Sequence, residues 1–212
     1  MRLARATAIV LAAWAGLAAH AQAHPHVFVD VDVVLDVGED GALRGMRHDW
    51  TFDDMYSAFA VQGLPRAGAA PTRDALARLA EEIVERLEDS DFFTKATAPD
   101  QELQPVGASH ARAEFIDGRL RLSFSLRMRA IIGAPDTVQV RVFDPQYVVA
   151  MNVGDKVRID GPARCRHTLI RPGALDPADA RQLDDSTRTN QLAPDFGAKL
   201  ATVIALDCRT KE

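Results

Sequence analysis

The sequence predicts an α+β domain: a mainly antiparallel, β-sandwich-like fold with two helices inserted after the first hairpin. Three observations carry this expectation. Residues 26–35 alternate with period 2, residues 72–89 carry one helical stripe, and nearly every later segment is a short strand punctuated by turn residues. A parallel, doubly wound sheet would need regular strand–helix alternation, which the chain lacks.

In residues 26–35, Val27, Val29, Val31, Val33 and Leu35 occupy one parity, while His26, Phe28, Asp30, Asp32 and Val34 occupy the other. A β-branched face opposite a largely polar one describes a strand buried on one side. Glu39-Asp40-Gly41-Ala42 contains an Asp-Gly turn signal, and residues 43–52 return with Met46, His48, Trp50 and Phe52 on a shared face. Asp53-Asp54 follows as an N-cap pair for a short helix through Met55, Tyr56, Phe59 and Ala60. Residues 63–71 read as a loop, and Thr72 caps a second helix whose Leu76, Leu79, Ala80, Ile83, Val84 and Leu87 form one stripe.

Strands are expected again at 113–116 and 120–128, around Asp117-Gly118, and at 137–143 and 147–153, around Asp144-Pro145-Gln146. Shorter strands are expected at 156–159 and 165–170, a weak helix at 176–185, and a closing strand at 200–208. No repeat or linker divides the chain.

The first 23 residues read as a cleaved secretory signal peptide. Arg2 and Arg5 make a positive start, residues 6–19 are almost continuously apolar, and Ala19-His20-Ala21 and Ala21-Gln22-Ala23 are small-x-small cleavage frames. The apolar run is shorter than the roughly 20 residues that span a bilayer, so residues 24–212 are expected as a single periplasmic domain without stable membrane insertion. Cleavage after Ala23 takes 212 residues to 189, and loss of Arg2 and Arg5 takes the formal charge from −5 to −7. An acidic domain of this kind argues against nucleic acid as a partner. The two cysteines, Cys165 and Cys208, are expected to pair in an oxidising compartment. Their loop, about 40 residues, corresponds to roughly 3 to 4 kcal/mol of chain entropy.

Chemistry concentrates at His24-Pro25-His26, the expected mature N-terminus. Neutral imidazole is the commonest metal ligand, and cleavage after Ala23 would add the α-amine of His24 as a chelating partner. That donor set suits Cu(II) and, less strongly, Ni(II) or Zn(II). Pro25 lacks an amide proton and so blocks deprotonated-amide coordination at the second position. His48 is the candidate to complete the shell, set against a structural role implied by its neighbours Met46 and Trp50. Enzyme chemistry is not expected: there is no Gly-x-Ser-x-Gly elbow, phosphate-binding glycine loop or His-Glu-x-x-His helix.

Four stretches together resemble one bacterial family. They are His24-Pro25-His26-Val27-Phe28-Val29-Asp30, Trp50-Thr51-Phe52-Asp53-Asp54-Met55-Tyr56-Ser57, Phe143-Asp144-Pro145-Gln146-Tyr147-Val148-Val149-Ala150, and Asp195-Phe196-Gly197-Ala198 leading to Cys208. The family is the one called domain of unknown function 1007. The resemblance implies a periplasmic component of an uncharacterised ABC-type transport system, with an inner-membrane metal transporter, often for nickel or cobalt, as partner. It carries over His24 and His26 as ligands. Some members also have an acidic, calcium-loop-like stretch between the early helices; residues 63–70 here hold no carboxylate, so no such ion is expected. The rival expectation is a non-metal ligand-binding or docking module of a transporter.

Overall fold

The computed structural model describes residues 25–129, 137–162, 164–189 and 191–209. The expected leader and His24 lie outside the described residues.

The described residues open with β1 (Val27–Val37) and β2 (Leu43–Phe52), the expected hairpin. Its turn closes through Gly38 N–H to Ala42 O at 2.9 Å and Ala42 N–H to the Asp40 carboxylate at 3.1 Å. Gly41 supplies the positive φ of 86° that this turn requires. Helix α1 (Asp54–Ala60) follows, then a two-residue ribbon, β3 (Arg66–Ala67) with β4 (Ala70–Pro71), inside the expected loop. Helix α2 (Arg73–Glu88) starts where Thr72 accepts the Ala75 N–H, and it buries Ala75, Leu76, Ala80 and Val84.

Beyond α2 come β5 (Thr94–Ala98), β6 (Gln101–Leu103), β7 (Pro105–Ile116) and β8 (Arg119–Met128). The remainder is β9 (Thr137–Val142), β10 (Val149–Asp160), β11 (Arg166–Ile170), α3 (Pro177–Thr189), α4 (Phe196–Leu200) and β12 (Val203–Asp207). Two five-stranded sheets result, ordered β10-β1-β2-β8-β7 and β11-β12-β9-β5-β6. Only β1 and β10 run parallel among the paired strands described.

Both sheets contribute to one core. Val29, Val31, Val33 and Leu35 of β1, with Met46 and Trp50 of β2 and Leu122 and Phe124 of β8, join Val138 and Val140 of β9 and Ile204 and Leu206 of β12. Helix α2 adds Leu76, Ala80 and Val84 and packs against β7. The α+β, antiparallel-rich architecture with two helices after the first hairpin is therefore as expected.

Several details differ from the sequence reading; helix α4 at Phe196–Leu200 was not expected, and the closing strand begins at Val203 rather than 200. Strands β5 and β6 were not expected, because Thr94–Ala98 and Gln101–Leu103 are short and polar and bury only Thr94, Ala96 and Leu103. Strand β7 begins at Pro105 rather than 113, since register shifts between Pro105 and Ala108 and between Ser109 and Arg112 break its alternation. Segments 147–153 and 156–159 are one strand, β10, interrupted where Val31 pairs with Val153 but Val33 pairs with Val157. The segments flanking Asp144-Pro145-Gln146 do not pair with each other: β9 lies in the second sheet and β10 in the first.

Candidate functional site

The start of β1 is held from both sides. His26 N–H donates to Val148 O at 2.8 Å, just before parallel pairing with β10 begins at Val27 and Val149. On the other side, Phe28 N–H donates to Asp53 Oδ2 at 2.7 Å, and Asp53 N–H returns a bond to Phe28 O at 2.9 Å. The second carboxylate oxygen of Asp53 accepts Tyr56 N–H at 2.8 Å, so one side chain both caps α1 and clamps β1. Partial burial opposes ionisation of Asp53. Backbone donors from Phe28, Tyr56 and Met55, with Arg119 nearby, outweigh it and hold the carboxyl below the usual Asp range.

Two further residues tie this junction to β8. Ser57, fully buried, accepts Leu120 N–H at 2.9 Å. Arg119 donates to Phe52 O at 2.7 Å and lies 3.5 Å from both Asp30 and Asp54.

On the β10 side, buried Asp144 organises the corner between the sheets. Its carboxylate accepts Gln146 N–H and Val149 N–H, each at 2.9 Å. Tyr147, at φ 55°, bonds back to Asp144 O at 3.0 Å. Gly197 rests against this corner: a Cβ there would stand 1.9 Å from Asp144 O. Phe196 is fully buried beside it, its ring 6.4 Å from that of Tyr147. Residues 24–30, 50–57, 143–150 and 195–198, distant in sequence, thus converge wherever they are described on one end of the molecule, around the backbone of His26 and Phe28.

A cavity of about 510 Å³ opens beside this end, between β1, β10 and the segments after β11 and before β12. Phe28 lines it with 55% of its surface exposed, together with Asp30, Tyr147, Asn152, Arg171 and Thr202. Asn152 donates to Asp30 at 3.2 Å, and burial pushes the Tyr147 phenol up, so it stays protonated as a donor. Sequence inspection missed this constellation, because nothing in the local patterns brings residues 28–30 beside 147–152 and 171. It exists only through the parallel β1–β10 pairing.

His48 lies elsewhere. It pairs with Val33 of β1 and Phe124 of β8, so it stands seven residues along β1 from His26. At about 3.3 Å per residue that is roughly 23 Å, too far for one ion to bridge. The imidazole is in the core, its Nδ1 accepting Trp50 Nε1–H at 3.3 Å and its ring stacked on Phe124 at 4.9 Å. Its Nε2 is buried without a hydrogen-bond partner. Desolvation, against a raising effect of Asp49, pushes its pKa down to about 3, and the bond to Nδ1 places the proton on Nε2. His48 therefore does not complete a shell begun at His26. The neighbouring-residue argument for a core role describes its surroundings correctly.

Of the other candidates, His26 is half-buried and has the backbone bond described above, while His24 is outside the described residues. Among the described residues no group of three His, Cys, Asp or Glu side chains is placed to hold a metal. Cys165 and Cys208 form the expected disulfide at the other end of β1. A Cβ on Gly41 of the hairpin turn would sit 3.2 Å from Cys208 Cβ, and Arg164 donates to Glu39 O at 2.7 Å. The bond thus joins β11 to β12 within the second sheet and packs against the turn of the first hairpin. No helix among the described residues is long and apolar enough to cross a membrane.

Comparison with known proteins meets this geometry at one point. A family model described as protein of unknown function (DUF1007) matches residues 9–208. The chain belongs to the DUF1007 family. Within that span fall all the segments that meet at the start of β1. A relative from Haemophilus influenzae, described as an uncharacterized protein, is 22% identical over 196 residues, covering 88% of this chain and 91% of its own.

Proposed function

We propose that this DUF1007 protein is a periplasmic, metal-binding accessory protein, delivering or buffering a transition ion for an inner-membrane transporter. The ion is nickel, cobalt, zinc or copper, held by the imidazoles of His24 and His26 and the α-amine that cleavage after Ala23 would expose. The function is binding, without catalysis. The observation that carries this reading is the clamp on β1. Val148 O and the Asp53 carboxylate hold the backbone at His26 and Phe28, so the residues entering β1 emerge from an anchored point. Such anchoring lowers the entropy lost when His26 becomes a ligand. The Cys165–Cys208 disulfide supports an oxidising compartment.

Isothermal titration with zinc, on protein whose mature N-terminus has been verified by intact mass, tests the assignment. One ion per chain should bind, and binding should fall at least a hundredfold in His24→Ala/His26→Ala. Unchanged affinity in the double variant would place the site elsewhere.

The rival reading is a docking module that takes no metal. It is favoured by Phe28, Met55 and Phe59, which expose 55%, 70% and 71% of their surface near the same clamp. It predicts metal-free protein after periplasmic purification and co-purification with a membrane partner that Met55→Ser/Phe59→Ser abolishes.

A further inference from the structure

The parallel register of β1 with β10 sets Phe28 opposite Ala150 and Asp30 opposite Asn152, and all four line the cavity of about 510 Å³ beside the clamp. Arg171, which follows β11, and Thr202, which precedes β12, line it as well. The volume falls within the few hundred to one thousand Å³ typical of small-molecule sites.

Two hydroxyls on this lining are uncommitted. Thr202 is only 7% exposed, its hydroxyl is not among the sealed atoms of the described residues, and no hydrogen bond engages it there. The little surface that Thr202 shows therefore includes that hydroxyl, on the cavity wall. Tyr147 is the second. Burial alone pushes its phenol up, and among the described residues no hydrogen bond reaches the phenol oxygen. Polar groups so far removed from bulk solvent are ordinarily paired, and an exception marks a place for a ligand or water.

The remaining lining carries both signs of charge and one bare ring. Arg171 pairs with Asp155, but both side chains are largely exposed, and a surface pair of this kind contributes at most about 1 kcal/mol. A guanidinium has five N–H donors, more than one carboxylate uses, so a ligand carboxylate can share it. Asp30 accepts from Asn152 and lies 3.5 Å from Arg119, and with its side chain 59% exposed it keeps lone pairs for a ligand ammonium. Phe28, 55% exposed, turns an aromatic face to the same space. A simple anion would meet Asp30 and a simple cation would meet Arg171. A molecule with both charges and an apolar part suits every group.

We propose that this cavity binds a small zwitterion, an α-amino acid with an apolar side chain. Its carboxylate is held by Arg171 and the hydroxyls of Thr202 and Tyr147, its ammonium by Asp30, and its side chain lies against Phe28. No metal takes part, so the site stands or falls separately from the N-terminal metal reading.

Isothermal titration of metal-free protein with L-phenylalanine, whose ring can stack on Phe28, tests the site. Two analogues assign its ends: 3-phenylpropionate lacks the amine, and phenethylamine lacks the carboxylate. L-phenylalanine should bind at one per chain, and each analogue about tenfold more weakly. Arg171→Gln should weaken L-phenylalanine by about the same factor while leaving phenethylamine unchanged. Asp30→Asn should weaken L-phenylalanine without weakening 3-phenylpropionate, and Thr202→Val should weaken both compounds that carry a carboxylate. No binding of L-phenylalanine at millimolar concentration, equal affinity for all three compounds, or losses that ignore which charge a compound carries would overturn the proposal.

Discussion

At the scale of single residues, His48 and Asp53 show how one neighbourhood reverses the meaning of a titratable side chain. His48 stacks among Trp50 and Phe124, and burial holds it neutral with its pKa pushed down to about 3. In the unfolded chain it would titrate near 6.5. Its neutral form therefore favours folding fully above about pH 6.5, and that contribution is lost as pH falls toward 3. At pH 5 the loss amounts to about 2 kcal/mol, at about 1.4 kcal/mol per pH unit. Urea denaturation of the wild type should show this fall between pH 7 and 5, and His48→Phe should flatten it. An unchanged slope in the variant would mean that His48 is not the group responsible. Asp53 is the opposite case, its carboxyl lowered by backbone donors, so its contribution is present above the ordinary Asp range and lost in stronger acid.

At the scale of elements, the junction of β1, β2 and α1 hangs on the same Asp53. Its two oxygens serve Phe28 N–H and Tyr56 N–H, at 2.7 and 2.8 Å. Asp53→Ala should cost about 1 to 2 kcal/mol, the upper end of the usual penalty for a lost N-cap, because a strand donor is orphaned as well. Asp53→Asn keeps one of the two acceptors and sets an NH2 donor against the other N–H, so it should cost less than Asp53→Ala but not be neutral. Comparing the two by chemical denaturation measures what one retained acceptor contributes, and equal losses would mean that neither bond survives without the second oxygen. The cap was legible from Asp53-Asp54 following a strand pattern. Its second task was not, because Phe28 lies 25 residues away along the chain. The same limit hid β5 and β6. Thr94–Ala98 has little apolar content of its own and becomes a strand by pairing with β9.

At the scale of the whole molecule, the disulfide and the clamp sit at opposite ends of β1. Cys165 precedes β11 and Cys208 follows β12, and their bond packs against the turn at Gly41. The sequence separation of 43 residues corresponds to about 4 kcal/mol of unfolded-state entropy. Cys165→Ser/Cys208→Ser should lose an amount near this in urea denaturation, and reduction of the wild type should reproduce it. A loss below about 1 kcal/mol would mean that the pairing of β11 with β12 already holds this end without the cross-link.

What the sequence by itself determined are the features whose causes are local: the alternation of β1, the Asp-Gly turns, the caps at Asp53 and Thr72, and the stripe of α2. The disulfide pairing was legible too, because two cysteines leave one intramolecular partner each. The family was legible from four short stretches, but what those stretches do for one another was not. Only the tertiary structure decided that β10 lies parallel to β1, that His48 on β2 stands far from His26 at the start of β1, and that Phe28, Asp30, Tyr147, Asn152 and Arg171 share a cavity. The physical reason is range: turns, caps and periodicity act over a few residues of chain. Strand pairing across more than a hundred residues is set by how two sheets bury a common core.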